Sequence, residues 1–155
     1  MFWLIILIIV LLDRITKYYI ISRFSFNDIF PVIKNVFFIN VLQNTGAGFG
    51  LLQGSTPLLI WLSIIVLGVI LYFYERFSRN RSYLICFGLI AGGIIGNLID
   101  RYAYGFVLDF IDVRIWPVFN IADASMTIGL LWLLALAICS SKRNSKKSKK
   151  SRKTE

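Results

Sequence analysis

The chain has no histidine and only two glutamates among its 155 residues, so few of its side chains can move a proton near neutral pH. Cysteine is nearly absent too. Cys86 and Cys139 both lie in apolar segments, too few for a disulfide framework, and read as small buried hydrophobes. With no histidine and no cysteines at ligand spacing, neither a metal site nor a cofactor is implied. Acidic residues are scarce, eight against seventeen Lys and Arg. That +9 balance resembles a nucleic-acid signal until it is located. Eight of the seventeen positive charges fall after Ser141, in KRNSKKSKKSRKTE, and without them the chain is nearly neutral. No aromatics interleave those lysines. The segment reads as a disordered tail drawn to anionic lipid on the cytoplasmic face, not as an RNA-binding element.

What is abundant is apolar. Hydrophobic residues make up 57% of the chain and mean hydropathy is +0.73. Both exceed soluble globular composition, and the chain is expected to be an integral membrane protein of mainly α class. A bilayer needs roughly 20 apolar residues per helix. Four segments qualify, at about 2–21, 57–74, 82–99 and 124–141. The first reads as a retained span rather than a signal peptide: it lacks a basic lead and a small-residue cleavage site, and it carries Asp13, Arg14 and Lys17. The domain reading is one membrane-embedded body, 1–141, followed by the tail, 142–155.

Loop charge sets the expected orientation. The short loop ERFSRNRS holds Arg76, Arg79 and Arg81. The connections 22–56 and 100–123 are longer and less basic. The predicted arrangement therefore has both termini in the cytoplasm and both long loops on the outer face. Within those loops Val36–Leu42, Val107–Val113 and Ile115–Ile121 are β-rich, the last broken by Pro117, and predict short strands on the membrane surface. Asn44 opens the turn-rich run NTGAGFG.

The polar residues inside or beside the spans need reasons. Asp13 and Lys17 share a helix face at i,i+4 and predict an internal ion pair, the alternative being Lys17 snorkelling outward. Gly93, Asn97 and Arg101 form one stripe on the third span, while Gly92 and Gly96 form a small-xxx-small pattern for close helix approach. Arg101, near a helix C-terminus, serves as an interfacial anchor or orients a carboxylate or phosphate. Asp123 opens the fourth span, where a carboxylate caps and suits the dipole. Two acids brought close separate in pKa, and such a pair can activate a water. Asp123 pairs in this way with Asp109 or with Asp112; on a strand these two point to opposite faces, and the residues themselves leave the choice open. If the pair forms, Asp123 is expected to be its ionised member.

Four blocks together resemble bacterial lipoprotein signal peptidase, the type II signal peptidase: DRITK at 13–17, NTGAGFG at 44–50, GGIIGNLIDR at 92–101, and VLDFID with FNIADASMTIG at 107–112 and 119–129. The resemblance spans nearly the whole apolar body. It implies four transmembrane helices with a small β-sheet cradle on the outer face, an aspartyl endopeptidase, and Asp109 rather than Asp112 as partner of Asp123. It also implies site-shaping or supporting roles for Asp13, Lys17, Asn44, Gly46, Gly93, Asn97, Arg101, Asn120 and Ala122. The implied substrate is a diacylglyceryl-modified prolipoprotein, cut just before its lipidated cysteine, in a monomeric enzyme of the bacterial inner membrane. Ala124 stands where the family often has serine, and Gly48 where alanine is common. A second reading from another class is a small ion or proton-coupled transporter using Asp13, Lys17, Asn97 and Arg101; a non-catalytic scaffold is a third.

Overall fold

The computed structural model describes residues 1–46 and 52–151, with side chains described through residue 140. Of the turn-rich run NTGAGFG, residues 47–50 lie outside the described residues. Among the described residues, five helices and three strands follow one another: α1 (Phe2–Arg23), β1 (Ile29–Ile33), β2 (Phe37–Asn44), α2 (Thr56–Tyr72), α3 (Tyr74–Ser78), α4 (Arg81–Tyr104), β3 (Val107–Asp112) and α5 (Ile121–Ser151). The fold is mostly helical, with one small antiparallel sheet in the order β1-β2-β3.

Each of the four apolar segments forms a helix. Local chemistry sets several ends. Pro57 sits in the first turn of α2, where a missing N–H costs nothing. Asn80 caps α4 by accepting the Ser82 N–H, and Gly105 ends it in the left-handed region at φ 80°. Among the described residues, α4 and the stretch Ile121–Ser140 of α5 are long and apolar enough to cross a membrane, and the 17-residue α2 is shorter. The helix α5 continues to Ser151, through most of the segment whose composition predicts disorder. Extending an existing helix requires no new nucleus.

The strand readings are partly corrected. Residues 37–44 and 107–112 are strands, but Ile115–Ile121 is not. There Arg114 turns the chain at φ 65° and Pro117 withholds a donor, leaving only Phe119 bridged to Ile111. The edge strand β1 was not foreseen from the sequence: it is exposed throughout and contains Pro31, a residue that edge strands tolerate.

Two apolar clusters hold the body together. One gathers Phe2, Ile6, Ile70, Phe77, Ala91 and Ile94; the other joins Ile20 of α1 to Val41, Leu108 and Phe110 of the sheet. Along α1 the charged turn Asp13–Lys17 lies between them. The α1–α4 contact is close because α4 offers no side chain there. A Cβ on Gly88 would lie 3.1 Å from Ile5, one on Gly92 2.9 Å from Ile9, and one on Gly96 2.9 Å from the Asp13 carboxylate. Gly93 serves the other neighbour: a Cβ there would sit 2.3 Å from the carbonyl oxygen of Ala122 at the start of α5. Outward, the helices show bare apolar side chains such as Trp3, Ile15, Trp61, Ile65 and Leu131. A surface of that kind suits hydrocarbon rather than water.

Candidate active site

The sheet and the start of α5 converge on the two aspartates. Asp109 lies on β3 opposite Leu42 of β2, and it is 2% exposed. Asp123 is the third residue of α5, preceded by Asn120 at the cap. The Oδ1 of Asn120 accepts the Asp123 N–H at 2.9 Å, and the Asn120 N–H donates to Oδ2 of Asp123 at 3.3 Å. This is a reciprocal capping box with an aspartate in the usual glutamate position. The cap is therefore Asn120, and Asp123 is its partner at N3. That corrects the reading of Asp123 as the cap itself.

Asparagine amides surround both acids. Asp109 accepts from Asn120 Nδ2 at 2.7 Å and from Asn44 Nδ2 at 2.8 Å. Asp123 Oδ1 accepts from Asn97 Nδ2 at 2.7 Å. Asn44 also closes its own turn by accepting the Gly46 N–H at 2.9 Å, and Arg101 Nη2 donates to the Gly46 carbonyl at 2.9 Å. The buried Nε of Arg101 has no partner among the described residues. Burial, and then repulsion from Asp123, push the Asp109 carboxyl up to about 7, against the amide bonds from Asn44 and Asn120. Asp112 faces the other way, as an i+3 residue on a strand must. Its burial works upward on its pKa but is outweighed by the Asn40 amide, the Arg114 N–H and the Arg114 charge, which hold it below the ordinary range.

Behind the acids lies a second polar layer. Asp13, fully buried, meets Arg14 at 2.6 Å and Lys17 at 3.0 Å. Asp100 meets the same two cations at 2.6 and 2.7 Å. The predicted Asp13–Lys17 pair is thus half of a four-member, charge-balanced cluster, and Lys17 is 3% exposed rather than snorkelling. Asp13 Oδ1 also accepts the Ala122 N–H at 3.2 Å, tying α1 to the first turn of α5. Ala122 is itself fully buried against the space that Gly96 leaves. Asp100 further accepts the Leu108 N–H at 3.2 Å, anchoring β3. Sequence reasoning missed Arg14 and Asp100. Both lie inside the motif blocks, beside residues that were named, but nothing in their spacing pairs residue 14 with residue 100.

A cavity of about 450 Å³ opens over the acids. Asn44, Gly46, Asn97, Arg101, Asp109 and Asp123 line it, under an apolar wall that includes Leu42, Pro117, Phe119 and Met126. Asn120, Asp13, Lys17, Gly93 and Ala122 are not on its surface; they sit behind and hold the residues that are. Among the described residues, no cluster of His, Cys, Asp and Glu could hold a metal ion.

A helical body with a bare apolar exterior and an open cavity with polar groups gathered in it has the construction of a membrane-embedded enzyme. Two solved structures, each described as a bacterial membrane enzyme determined by the in meso method, share the architecture. One, at 2.3 Å resolution, has a TM-score of 0.87 and 33% identity over 92% of this chain and 90% of its own. The other, at 1.9 Å, has a TM-score of 0.80 and 35% identity over 88% and 91%. The family follows from the sequence: residues 5–139 match signal peptidase (SPase) II, and the chain belongs to that family. Among its relatives, the lipoprotein signal peptidase of Halothermothrix orenii is 40% identical over 86% of this chain and 92% of its own length. That of Shouchella clausii is 40% identical over 96% and 99%. The transporter reading finds no support in any of these relationships.

Proposed function

We propose that this protein removes signal peptides from diacylglyceryl-modified prolipoproteins, with Asp109 and Asp123 as an aspartic dyad. The observation that carries the reading is the buried, amide-held pair of acids lining one cavity. Asp123, at the positive end of α5, carries the charge and takes a proton from a water held between the acids. The water oxygen attacks the carbonyl before the lipidated cysteine. Asp109 supplies a hydrogen bond to that carbonyl. As the C–N bond breaks, the leaving nitrogen receives a proton from the dyad, which returns to its singly protonated state.

The topology that goes with this chemistry has α1, α2, α4 and α5 as four spans. Both termini and the Arg76–Arg81 loop are cytoplasmic, and the sheet cradles the substrate at the outer face. The basic loop and the apolar exterior support it. In this arrangement the signal helix enters laterally, its lipid chains stay in the bilayer, and one chain suffices for activity. The apolar body 1–141 acts as a single domain, with 142–155 as a basic appendage touching lipid headgroups.

The deciding experiment incubates detergent-purified protein with a diacylglyceryl precursor. Asp109→Asn and Asp123→Asn should each lose cleavage by on the order of 10³-fold or more while remaining folded. Normal processing by either variant would rule out the dyad.

A further inference from the structure

One oxygen atom connects the charged cluster to both candidate catalytic acids. Asn97 Oδ1 accepts from Lys17 Nζ at 3.3 Å and from Asn120 Nδ2 at 3.1 Å. An ammonium has donors and no acceptor, so Asn97 must turn its oxygen toward Lys17. Its Nδ2 then has one direction left, and there it donates to Asp123. Asn120, drawn to the same oxygen, presents its amide to Asp109. Lys17 is held in turn by Asp13 at 3.0 Å and Asp100 at 2.7 Å.

We propose that Lys17 is the positioning residue of the dyad: through the single oxygen of Asn97 it orients the amide that holds Asp123, and that same oxygen braces the Asn120 amide that reaches Asp109. Without an ammonium at that place, Asn97 Oδ1 keeps only the Asn120 donor at 3.1 Å, and the hold on the amide that donates to Asp123 is weakened. Lys17 has a second effect that a packing residue lacks. Its positive charge favours the ionised form of Asp109 and so holds that pKa down.

The charged groups around Lys17 are Asp13 and Arg14 on its own helix, Asp100 and Arg101 on α4, Asp109 on β3 and Asp123 on α5. Of these, Asp13, Asp100 and Arg14 form a closed cluster with it. Lys17→Met alone leaves two carboxylates with one guanidinium, and such an uncompensated buried charge destabilises the fold. The double variant Lys17→Met with Asp100→Asn leaves the Asp13–Arg14 pair balanced.

This inference rests on the dyad reading, so the assay includes Asp109→Asn. The pH dependence of kcat/KM and of kcat is measured on a lipidated precursor, for the wild type, Lys17→Met and the double variant. Thermal unfolding is followed in the same detergent. The expected result is that the double variant regains most of the stability lost in Lys17→Met. Both variants should nonetheless keep a kcat lowered on the order of 100-fold with KM little changed. Their alkaline limb should move up by roughly half to one pH unit. An unmoved limb, or a kcat that recovers together with stability, would make Lys17 a structural residue only and overturn the proposal. An active Asp109→Asn would instead overturn the dyad reading itself.

Discussion

Asn120 and Asp123 bond each other twice, each backbone N–H finding the other's side-chain oxygen at 2.9 and 3.3 Å. The remaining amide group of Asn120 reaches Asp109. A helix cap is thereby also the link between two acids on different elements. The roles separate by substitution. Asn120→Ser keeps a capping oxygen but has no amide for Asp109; Asn120→Ala loses both. The serine variant should unfold within about 1 kcal/mol of wild type, and the alanine variant about 1 kcal/mol or more below it. Both should lose peptidase activity by at least about tenfold. Thermal melts and cleavage assays on the same preparations check this.

The pH dependence follows from Asp109. Its carboxyl titrates near 7 in the folded protein against 3.8 as a free group. Between those values the folded chain holds a proton that the unfolded chain has released, so stability falls as pH rises through this window. It is fully present below the lower value. Activity should fall with an alkaline limb near pH 7, as Asp109 loses the proton it must donate. Asp109→Asn should flatten the stability change between pH 5 and pH 8, which melting curves at the two pH values measure.

Gly93 and Gly68 give opposite expectations from the same substitution. A methyl at Gly93 would stand 2.3 Å from the Ala122 carbonyl and 2.6 Å from Ser125 Oγ, both on α5. Gly68 has nothing within 4 Å of such a methyl. Gly93→Ala should cost about 1–3 kcal/mol or more and displace the start of α5, lowering activity as well. Gly68→Ala should leave both unchanged or raise stability slightly.

The orientation is open to direct labelling. In a background of Cys86→Ala and Cys139→Ala, Lys34→Cys and Arg79→Cys place thiols in the two loops assigned to opposite faces. An impermeant maleimide should label Lys34→Cys in intact cells and Arg79→Cys only after permeabilisation. The reverse pattern would invert the proposed topology.

The four apolar helices were readable because length and apolar run alone define them. So were β2 and β3, from their β-rich apolar pattern. The strand β1 was not: Pro31 and full exposure erase the alternation that marks a half-buried strand. At the site, Asp13 with Lys17 was legible because i,i+4 spacing is local. Arg14 with Asp100 was not, since 86 residues separate them and only the packing of α1 on α4 brings them together. The capping role went to Asp123 because it opens the apolar run; the helix begins two residues earlier, at Ile121, leaving the cap to Asn120. The choice of Asp109 over Asp112 came from resemblance alone. In the structure Asp109 shares the cavity with Asp123, while Asp112 is turned to Asn40 and Arg114 on the far face of β3.

Three glycines on α4, each one turn from the next, meet Ile5, Ile9 and Asp13 of α1 in step. The contact works as a ruler. The eight steps from Ile5 to Asp13 cannot be lengthened or shortened without losing that match. One residue inserted there would rotate Asp13, Arg14 and Lys17 together by about 100° about the helix axis, away from Asp100, Asn97 and the Ala122 N–H. The phase of these inner two turns of α1 is set by the glycines opposite.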